Sequence, residues 1–167
     1  MSASDLTILA IDPGTACGWA VRHRAGTYDS GVWLLRPNRW RNMGAMMLRL
    51  RLDLTRMLSD LTSTQYPPVD LVAFEEVRRH LGVDAAHVYG AIMGVVCEVC
   101  ETHKLAYEAF PVGTIKKHAT GSGRASKDDM LVAARERWPG YAWQDDNEVD
   151  ARWLADCAYA SLIERSS

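Results

Sequence analysis

The segment LTILAIDPGT, residues 6–15, is an apolar run that ends in an acid and a turn. The run predicts a strand over residues 5–12, closed by the turn signal Pro13–Gly14. A strand that ends in Asp12 presents a carboxylate at the rim of a sheet, where a divalent metal ion can be held. A single acid of this kind is most often a solvated strand end, so the rest of the chain has to support the interpretation.

The same pattern returns twice along the chain. In DLVAFEEV, residues 70–77, an apolar run typical of a strand buried on both faces ends in Glu75. In DDNEVDARWLA, residues 145–155, Asp150 lies near the start of a helix. Acids at the ends of two strands and on a helix therefore predict one catalytic set. Glu76 competes with Glu75, because successive side chains of a strand point to opposite faces.

The periodicity of the chain predicts an α/β fold. Three short strands are expected at residues 5–12, 17–23 and 27–35, joined by turns short enough for antiparallel hairpins. Two further strands, 69–74 and 105–110, are connected through helices, which is typical of crossover connections. The result is a mixed five-stranded sheet, three antiparallel strands and then parallel ones, flanked by helices. The expected helices are 43–61, 84–102, 112–119, 127–137 and one that starts near Asp145 or Asp146.

Length and composition bound the class of protein. With 167 residues, a net charge of −2 and 48% hydrophobic residues, the chain fits one globular domain, residues 1–167. We see no run of about 18 apolar residues that would span a membrane. The N-terminus lacks the basic start of a signal peptide. We therefore expect a protein of the cytosol with no membrane partner.

Basic residues cluster locally although the net charge is slightly negative. The segment KKHATGSGRASK, residues 116–127, combines lysines and an arginine with glycines that let another backbone approach closely. Arg78 and Arg79 directly follow the second acidic strip. A charge run is often only a solvated face. Its position beside the acids favours a surface that binds phosphate groups of a nucleic acid.

Together these motifs resemble a known family. In order along the chain, AIDPGTACGWAV (10–21), VAFEEV (72–77), KKHATGSGRASK (116–127) and NEVDA (147–151) are similar to the RuvC family of Holliday junction resolvases, particularly its shorter bacteriophage members. The resemblance covers nearly the whole chain. It implies a ribonuclease H-like fold. Actin-like ATPases also begin a phosphate loop with Asp-x-Gly-Thr, but a two-domain ATPase needs a much longer chain.

The resemblance implies a reaction and its residues. Family members hydrolyse phosphodiester bonds of branched DNA with two Mg²⁺ ions, with Mn²⁺ able to substitute, and leave 5′-phosphate ends. Asp12, Glu75 and Asp150 match the family's metal-binding acids. Lys127 matches a functionally important lysine and is expected to stabilise the transition state. The implied catalytic residues are Asp12, Glu75, Asp150 and Lys127.

One position departs from the family pattern. Asn147 stands three residues before Asp150, where the family has an aspartate or histidine ligand. An amide oxygen is a weaker ligand for a hard cation than a carboxylate. Asp146 is the natural substitute, because it lies four residues before Asp150 on the same helix face, whereas Glu148 is expected to point elsewhere. The predicted metal ligands are Asp12, Glu75, Asp146, Asn147 and Asp150.

The resemblance also implies partners. The expected substrate is branched DNA, above all a four-way junction, in a bacterial or phage-infected cell. Two paired nicks require a twofold dimer, whose contact in the family includes the helix at 84–102 here. The stripe Val88, Ala91, Ile92, Val95 and Val99 of that helix suits either a core or the dimer contact. The expected DNA-binding residues are Arg78, Arg79, Lys116, Lys117, Arg124 and Lys127.

Two other functions stay open at this point. The first is an RNase H-like or ribosomal-RNA-processing nuclease, which would use the same fold on hybrid or structured RNA. The second is a catalytically weak protein that binds branched DNA, which follows if Asn147 disables the metal site. Cleavage assays on junction, hybrid and RNA substrates separate these functions.

Overall fold

Five strands and five helices make up the part of the chain described by this computed structural model, residues 6–35, 43–63, 69–77 and 82–166. The strands are β1 (Ile8–Asp12), β2 (Ala16–Arg22), β3 (Tyr28–Leu34), β4 (Leu71–Glu76) and β5 (Tyr107–Pro111). The helices are α1 (Met43–Ser63), α2 (Val83–His103), α3 (Val112–Thr120), α4 (Lys127–Arg137) and α5 (Asp146–Ser166).

The strands form one sheet in the order β3-β2-β1-β4-β5. The pairs β1/β2 and β2/β3 are antiparallel, and the pairs β1/β4 and β4/β5 are parallel. The predicted mixed five-stranded α/β fold is confirmed. The bounds differ by at most three residues, as for β5, predicted at 105–110 and found at Tyr107–Pro111.

Two hydrophobic cores cover the two faces of the sheet. Because alternate residues of a strand point to opposite faces, Leu9 and Ile11 pack into the core that contains residues of α1 and α2. Ile8 and Ala10 pack into the other core, with residues of α3, α4 and α5. β1 is therefore buried on both sides, which fixes the position of the acid at its end.

A glycine in β2 lets α5 approach the sheet. Gly18 pairs with Asp12 across β1 and β2. A Cβ atom at Gly18 would lie 2.0 Å from the carbonyl oxygen of Asn147, closer than any side chain tolerates. Glycine at this position therefore seats the first turn of α5 directly against the end of β1.

The long helices α1 and α2 each combine buried apolar residues with exposed or apolar stretches that need an explanation. Met46 of α1 is buried in the core, whereas Met43, the first residue of the helix, is 42% exposed. By length and composition α2 could cross a membrane, although polar residues interrupt it and no unbroken run of 18 apolar residues occurs in it. Its residues Ile92 and Val96 are completely buried in the core on the sheet, a pattern that a core helix also produces.

Candidate active site

Two of the predicted acids meet at one edge of the sheet. β1 and β4 are parallel neighbours, and Ile11 pairs with Phe74. The next residues, Asp12 and Glu75, are the last or nearly the last residues of their strands, and this register places them side by side. The parallel arrangement brings the ends of two strands that are far apart in sequence to the same place.

The third acid reaches this edge from α5. Asp150 and Glu75 line one small cleft of about 180 Å³, together with Lys116 and Lys127. Asp12 is close enough for Glu75 and Asp150 to act on its ionisation. The structure thus brings the three acids predicted from separate motifs into one electrostatic neighbourhood.

The pKa values of the three acids are all raised. Burial, and then repulsion from Glu75 and Asp150, raises the pKa of Asp12 well above its usual value. Burial and repulsion from Asp150 raise the pKa of Glu75. Burial raises the pKa of Asp150 to about 6, although Lys127 opposes this effect. Three carboxylates that disfavour one another's charge create a place that a cation would stabilise.

The donor set suits a hard divalent cation. Mg²⁺ and Mn²⁺ prefer carboxylate oxygens, which Asp12, Glu75 and Asp150 offer at one edge of the sheet. Across residues 6–35, 43–63, 69–77 and 82–166, no three His, Cys, Asp or Glu side chains converge into a closed ligand group. The three acids thus suit a metal ion by the chemistry of their oxygen atoms and by their charge. Because they do not form a closed ligand group, their coordination of a metal stays a prediction.

Lys127 stands at the mouth of the cleft and pairs with Asp146. It is the first residue of α4, whose N-cap Ser126 forms a capping box with Asp129. The Lys127 ammonium donates to the Asp146 carboxylate, which lowers the pKa of Asp146 and raises that of Lys127. The cap thus holds the backbone at Lys127, the lysine that the family resemblance implied to be functional.

Asn147 takes part in the cap of α5. Its side-chain amide donates to Asp145 Oδ2 at 3.1 Å, and its backbone N–H donates to Asp145 Oδ1 at 2.9 Å. The backbone N–H of Glu148 donates to the same oxygen at 3.1 Å. Asp145 thus acts as an N-cap, which its place before the helix would have predicted. Asp146, and not Asn147, is the residue that faces Lys127.

Glu148 points away from the three acids, as expected. It is only 2% exposed, and its carboxylate accepts hydrogen bonds from Ser30 Oγ at 2.7 Å and from the Tyr141 hydroxyl at 2.6 Å. It also accepts from the backbone N–H of Gln144 at 2.6 Å. Its role is to tie α5 to β3 and to the segment that precedes the helix.

At the end of β4, Glu75 rather than Glu76 lines the cleft. The hydroxyl of Tyr89 donates to the carbonyl oxygen of Glu75 at 3.1 Å and accepts from the N–H of Val77 at 3.3 Å. Tyr89 of α2 thus holds the backbone that carries the acid. Sequence reasoning missed this residue, because a tyrosine inside an apolar helix carries no positional signal.

The predicted basic residues separate into different places. Lys116 lies in the acid cleft, and its ammonium donates to the carbonyl oxygen of Ala125 at 2.6 Å. Lys117 lines a different depression on the α3 and α5 surface, and Arg124 is exposed between α3 and α4. Arg78 and Arg79 fall outside the described residues.

Sequence comparison shows relatives over most of the chain. No protein-family model matches it. It is 33% identical over 130 residues to the crossover junction endodeoxyribonuclease RuvC of Nitratidesulfovibrio vulgaris strain DP4, covering 77% of this chain and 75% of that protein. The chain belongs to the RuvC family. The RuvC of Anaeromyxobacter sp. is 30% identical over 165 residues, covering 94% of this chain and 74% of the relative.

Solved structures agree with this RuvC assignment at the level of the fold. Thermus thermophilus RuvC in complex with Holliday junction substrate has a TM-score of 0.75 at 20% identity, covering 95% of this chain and 96% of that one. The yeast mitochondrial Holliday junction resolvase Ydc2 has a TM-score of 0.62 at 10% identity, covering 96% and 81%. The ribonuclease H-like fold is confirmed. The relatives named here do not test the likeness to bacteriophage members.

Proposed function

We propose that this protein is a metal-dependent endonuclease that resolves Holliday junctions and other branched DNA by paired phosphodiester hydrolysis. The observation that carries the proposal is that Asp12, Glu75 and Asp150 lie close enough at one end of the sheet for Glu75 and Asp150 to act on the ionisation of Asp12, in a chain of the RuvC family. The products carry 5′-phosphate and 3′-hydroxyl ends. The proposed place of action is the cytoplasm of a bacterial or phage-infected cell.

Mg²⁺, with Mn²⁺ as substitute, is the proposed cofactor. Asp12, Glu75 and Asp150 would hold the ions, with Asp146 as the further carboxylate and Asn147 as a weaker ligand. When bound, two such ions activate a water molecule and stabilise the leaving oxygen of an in-line displacement. The three carboxyl groups would bind the ions in their deprotonated form, and the ions would relieve the repulsion among them.

The basic residues would hold the DNA strand at the acids. Lys127 and Lys116 border the acid cleft, so their ammonium groups are placed to neutralise the scissile phosphate. Arg124 and Lys117 lie further out and would contact the backbone of the same strand. Arg78 and Arg79 are proposed to contact the junction. Hydrolysis needs no covalent intermediate.

A nearby thiol does not offer another mechanism. Cys17 lies on β2 one residue before Gly18, the partner of Asp12. Burial raises the pKa of Cys17 to about 12, and the charge of Asp12 acts in the same direction. The thiol therefore stays protonated and is a poor nucleophile near neutral pH.

Paired nicks require two active sites, so we propose a twofold homodimer. Ile92, Val95 and Val99 of the predicted α2 stripe are buried in the core, so the contact would use the outer face of the helix. On that face, Cβ atoms at Gly90 or Gly94 would meet no atom of the described residues within 4 Å. Sedimentation of the native chain and of Gly94→Glu tests this: a dimer that the substitution splits is expected, and a native monomer would refute it.

Cleavage of a labelled synthetic four-way junction tests the proposed function. The junction is compared with linear duplex and RNA–DNA hybrid in Mg²⁺ or Mn²⁺, using the native chain, Asp12→Asn and the control Asp29→Asn. Asp29 is a suitable control because its side chain is 72% exposed and pairs with His23 away from the acids. Paired nicks that Asp12→Asn abolishes, while binding persists, are expected. Preferential hybrid cleavage would instead indicate a ribonuclease.

A specific observation favours a second candidate function. The Asn147 amide is engaged with Asp145, and the Asp146 carboxylate is engaged with Lys127. A protein with this arrangement would bind branched DNA and cleave it weakly. Junction binding without nicks in either metal would support that function, and restored cleavage in Asn147→Asp would locate the cause.

A further inference from the structure

Arg152 is a buried cation beside the candidate active site. It lies on α5 two residues after Asp150 and is only 5% exposed. Four aromatic rings surround its guanidinium. The guanidinium carbon is 4.3 Å from the ring centroid of Tyr141, 4.8 Å from that of Tyr28, 4.9 Å from that of Trp138 and 5.4 Å from that of Trp143.

The rings, rather than hydrogen bonds, hold this guanidinium. In the part of the chain that the structure describes, Nε and Nη1 of Arg152 have no hydrogen-bond partner. Burial lowers the pKa of Arg152, and the neighbouring Tyr141 and Tyr28 oppose that effect. An arginine stays charged under such conditions. Its interaction with aromatic faces is strongest where water is excluded, as it is here.

Three of the four rings belong to one connection. Trp138, Tyr141 and Trp143 lie in residues 138–145, between α4 and α5. The Trp143 ring packs against both of the others, with centroids 5.8 Å from Trp138 and 4.7 Å from Tyr141. We call residues 138–145 the aromatic segment. Arg152 sits at the centre of this cluster and links the segment to α5.

The aromatic segment ends at the candidate active site. Its last residue, Asp145, caps α5, and the next residue, Asp146, pairs with Lys127. Side chains from the segment line a cavity of about 570 Å³ that Lys127, Asp146 and Asp150 also line. The position of the segment therefore helps to set how the first turn of α5, which carries Asp146, lies relative to Lys127 at the start of α4.

We infer that Arg152 is a positioning residue: by holding the aromatic segment against α5, it keeps the first turn of α5 in place, so that Asp146 stays beside Lys127 at the site where Asp150 would bind a divalent metal ion. This inference rests on the proposed function, because it concerns the metal site of that function. Arg152 acts through the segment and not on the substrate. The hydrogen bonds that Glu148 accepts from Tyr141 and Gln144 support the same arrangement.

Two measurements on DNA-free protein test the inference. Calorimetry gives the dissociation constant for Mn²⁺. Hydrogen exchange gives the exchange rates of the backbone amides, which report how readily the aromatic segment opens. Arg152→Met, which keeps the size but not the charge, is expected to raise the Mn²⁺ dissociation constant by about tenfold, the usual effect of losing an outer support of a metal site. Backbone amides at 138–148 should exchange faster, while those of β1 and β4 keep their rates.

Arg22→Met is the matched control. Arg22 is also a buried arginine, 8% exposed, whose guanidinium carbon lies 3.2 Å from the ring centroid of Tyr159 on α5. Tyr159 lies on α5 nine residues after Asp150 and is not part of the aromatic segment, so this contact does not hold that segment. Its loss should leave Mn²⁺ binding within about twofold of wild type, as for independent sites.

Trp143→Leu tests the same contact from the other side. It removes one ring from the exposed segment and decides the question if Arg152→Met does not fold. Wild-type Mn²⁺ binding and exchange in a folded Arg152→Met or in Trp143→Leu would overturn the inference, and so would equal weakening in Arg22→Met or a wild type that binds no Mn²⁺. A wild type that binds Mn²⁺ but leaves junctions intact refutes the proposed function alone.

Discussion

Asp150 and Asp156 lie on the same helix, and their surroundings are opposite. Burial raises the pKa of Asp150 to about 6, and Asp146 adds repulsion. Burial also acts to raise the pKa of Asp156, but hydrogen bonds from His118 at 3.0 Å and Tyr28 at 2.5 Å outweigh it and lower that pKa. Burial alone therefore does not separate the two acids.

The difference lies in what surrounds each carboxylate. Asp156 is held by donors from α3, β3 and α4, so its charge stabilises the fold. Asp150 is buried near other acids, and Lys127 only partly offsets these effects, so its charge destabilises the fold unless a cation is bound. A carboxylate that costs stability is typical of a functional site, and a satisfied one is typical of a structural site.

The largest effect is expected from Asp12→Asn. Removing this charge should reduce junction cleavage by at least about a thousandfold, the scale for loss of one electrostatic group in an active site. The same change should leave the free energy of unfolding equal or higher, because it relieves repulsion from Glu75 and Asp150. Single-turnover cleavage and urea unfolding measure the two effects. A variant that is inactive because it is unfolded would contradict the account.

Gly18→Val should come next. The new Cβ would lie 2.0 Å from the Asn147 carbonyl oxygen, so α5 must move away from β1 and carry Asp150 with it. We expect a loss of about 3 kcal/mol in the free energy of unfolding, as for severe overpacking, together with loss of cleavage. Gly113→Ala is the control, because its Cβ would make an ordinary contact at 3.8 Å. Wild-type stability in Gly18→Val would refute this role of the glycine.

These two positions show how far the sequence alone could lead. Asp12 was predictable, because an apolar run that ends in an acid carries its own signal. Gly18 was not, because the need for glycine arises only when α5 lies across β2. Periodicity likewise predicted the strands and helices to within a few residues, since burial patterns are local properties.

The site was predictable in part for the same reason. The phase of α5 predicted that Asp146 and Asp150 share a face and that Glu148 points away. It did not show that Asn147 binds the Asp145 cap, because a side chain at a helix start has several partners within reach. The cluster around Arg152 joins residues from β3, the aromatic segment and α5, so no single window of sequence reveals it.

Asp156→Asn tests whether Asp156 stabilises the fold without taking part in cleavage. It weakens hydrogen bonds from Tyr28 and His118 to a charged acceptor, which should cost about 2 kcal/mol in the free energy of unfolding. Cleavage by the folded variant should stay within about threefold of wild type, because this acid lies outside the metal set. Urea unfolding and single-turnover cleavage check both values. A stable but inactive variant would place Asp156 in the active site.

The smallest expected effect is on pH dependence. Because the folded pKa of Asp150 is about 6 against a usual 3.8, its contribution to stability is present at low pH and is lost as the pH rises through about 6. Asp156 has the opposite sign, since its stabilisation is present above its usual pKa and is lost as the pH falls. In EDTA, the stability of Asp150→Asn relative to wild type should increase by about 1 to 2 kcal/mol between pH 4.5 and pH 7. An unchanged difference would contradict the raised pKa.

Mn²⁺ binding, measured by calorimetry at pH 7.5 for wild type, Asp150→Asn and Asp156→Asn, tests whether the metal binds at Asp150 and not at Asp156. Our account predicts that wild type and Asp156→Asn bind the ion with similar affinity and that Asp150→Asn loses binding while it stays folded. Equal binding by Asp150→Asn and wild type, or loss of binding in Asp156→Asn alone, would contradict the assignment of Asp12, Glu75 and Asp150 as the metal-binding acids.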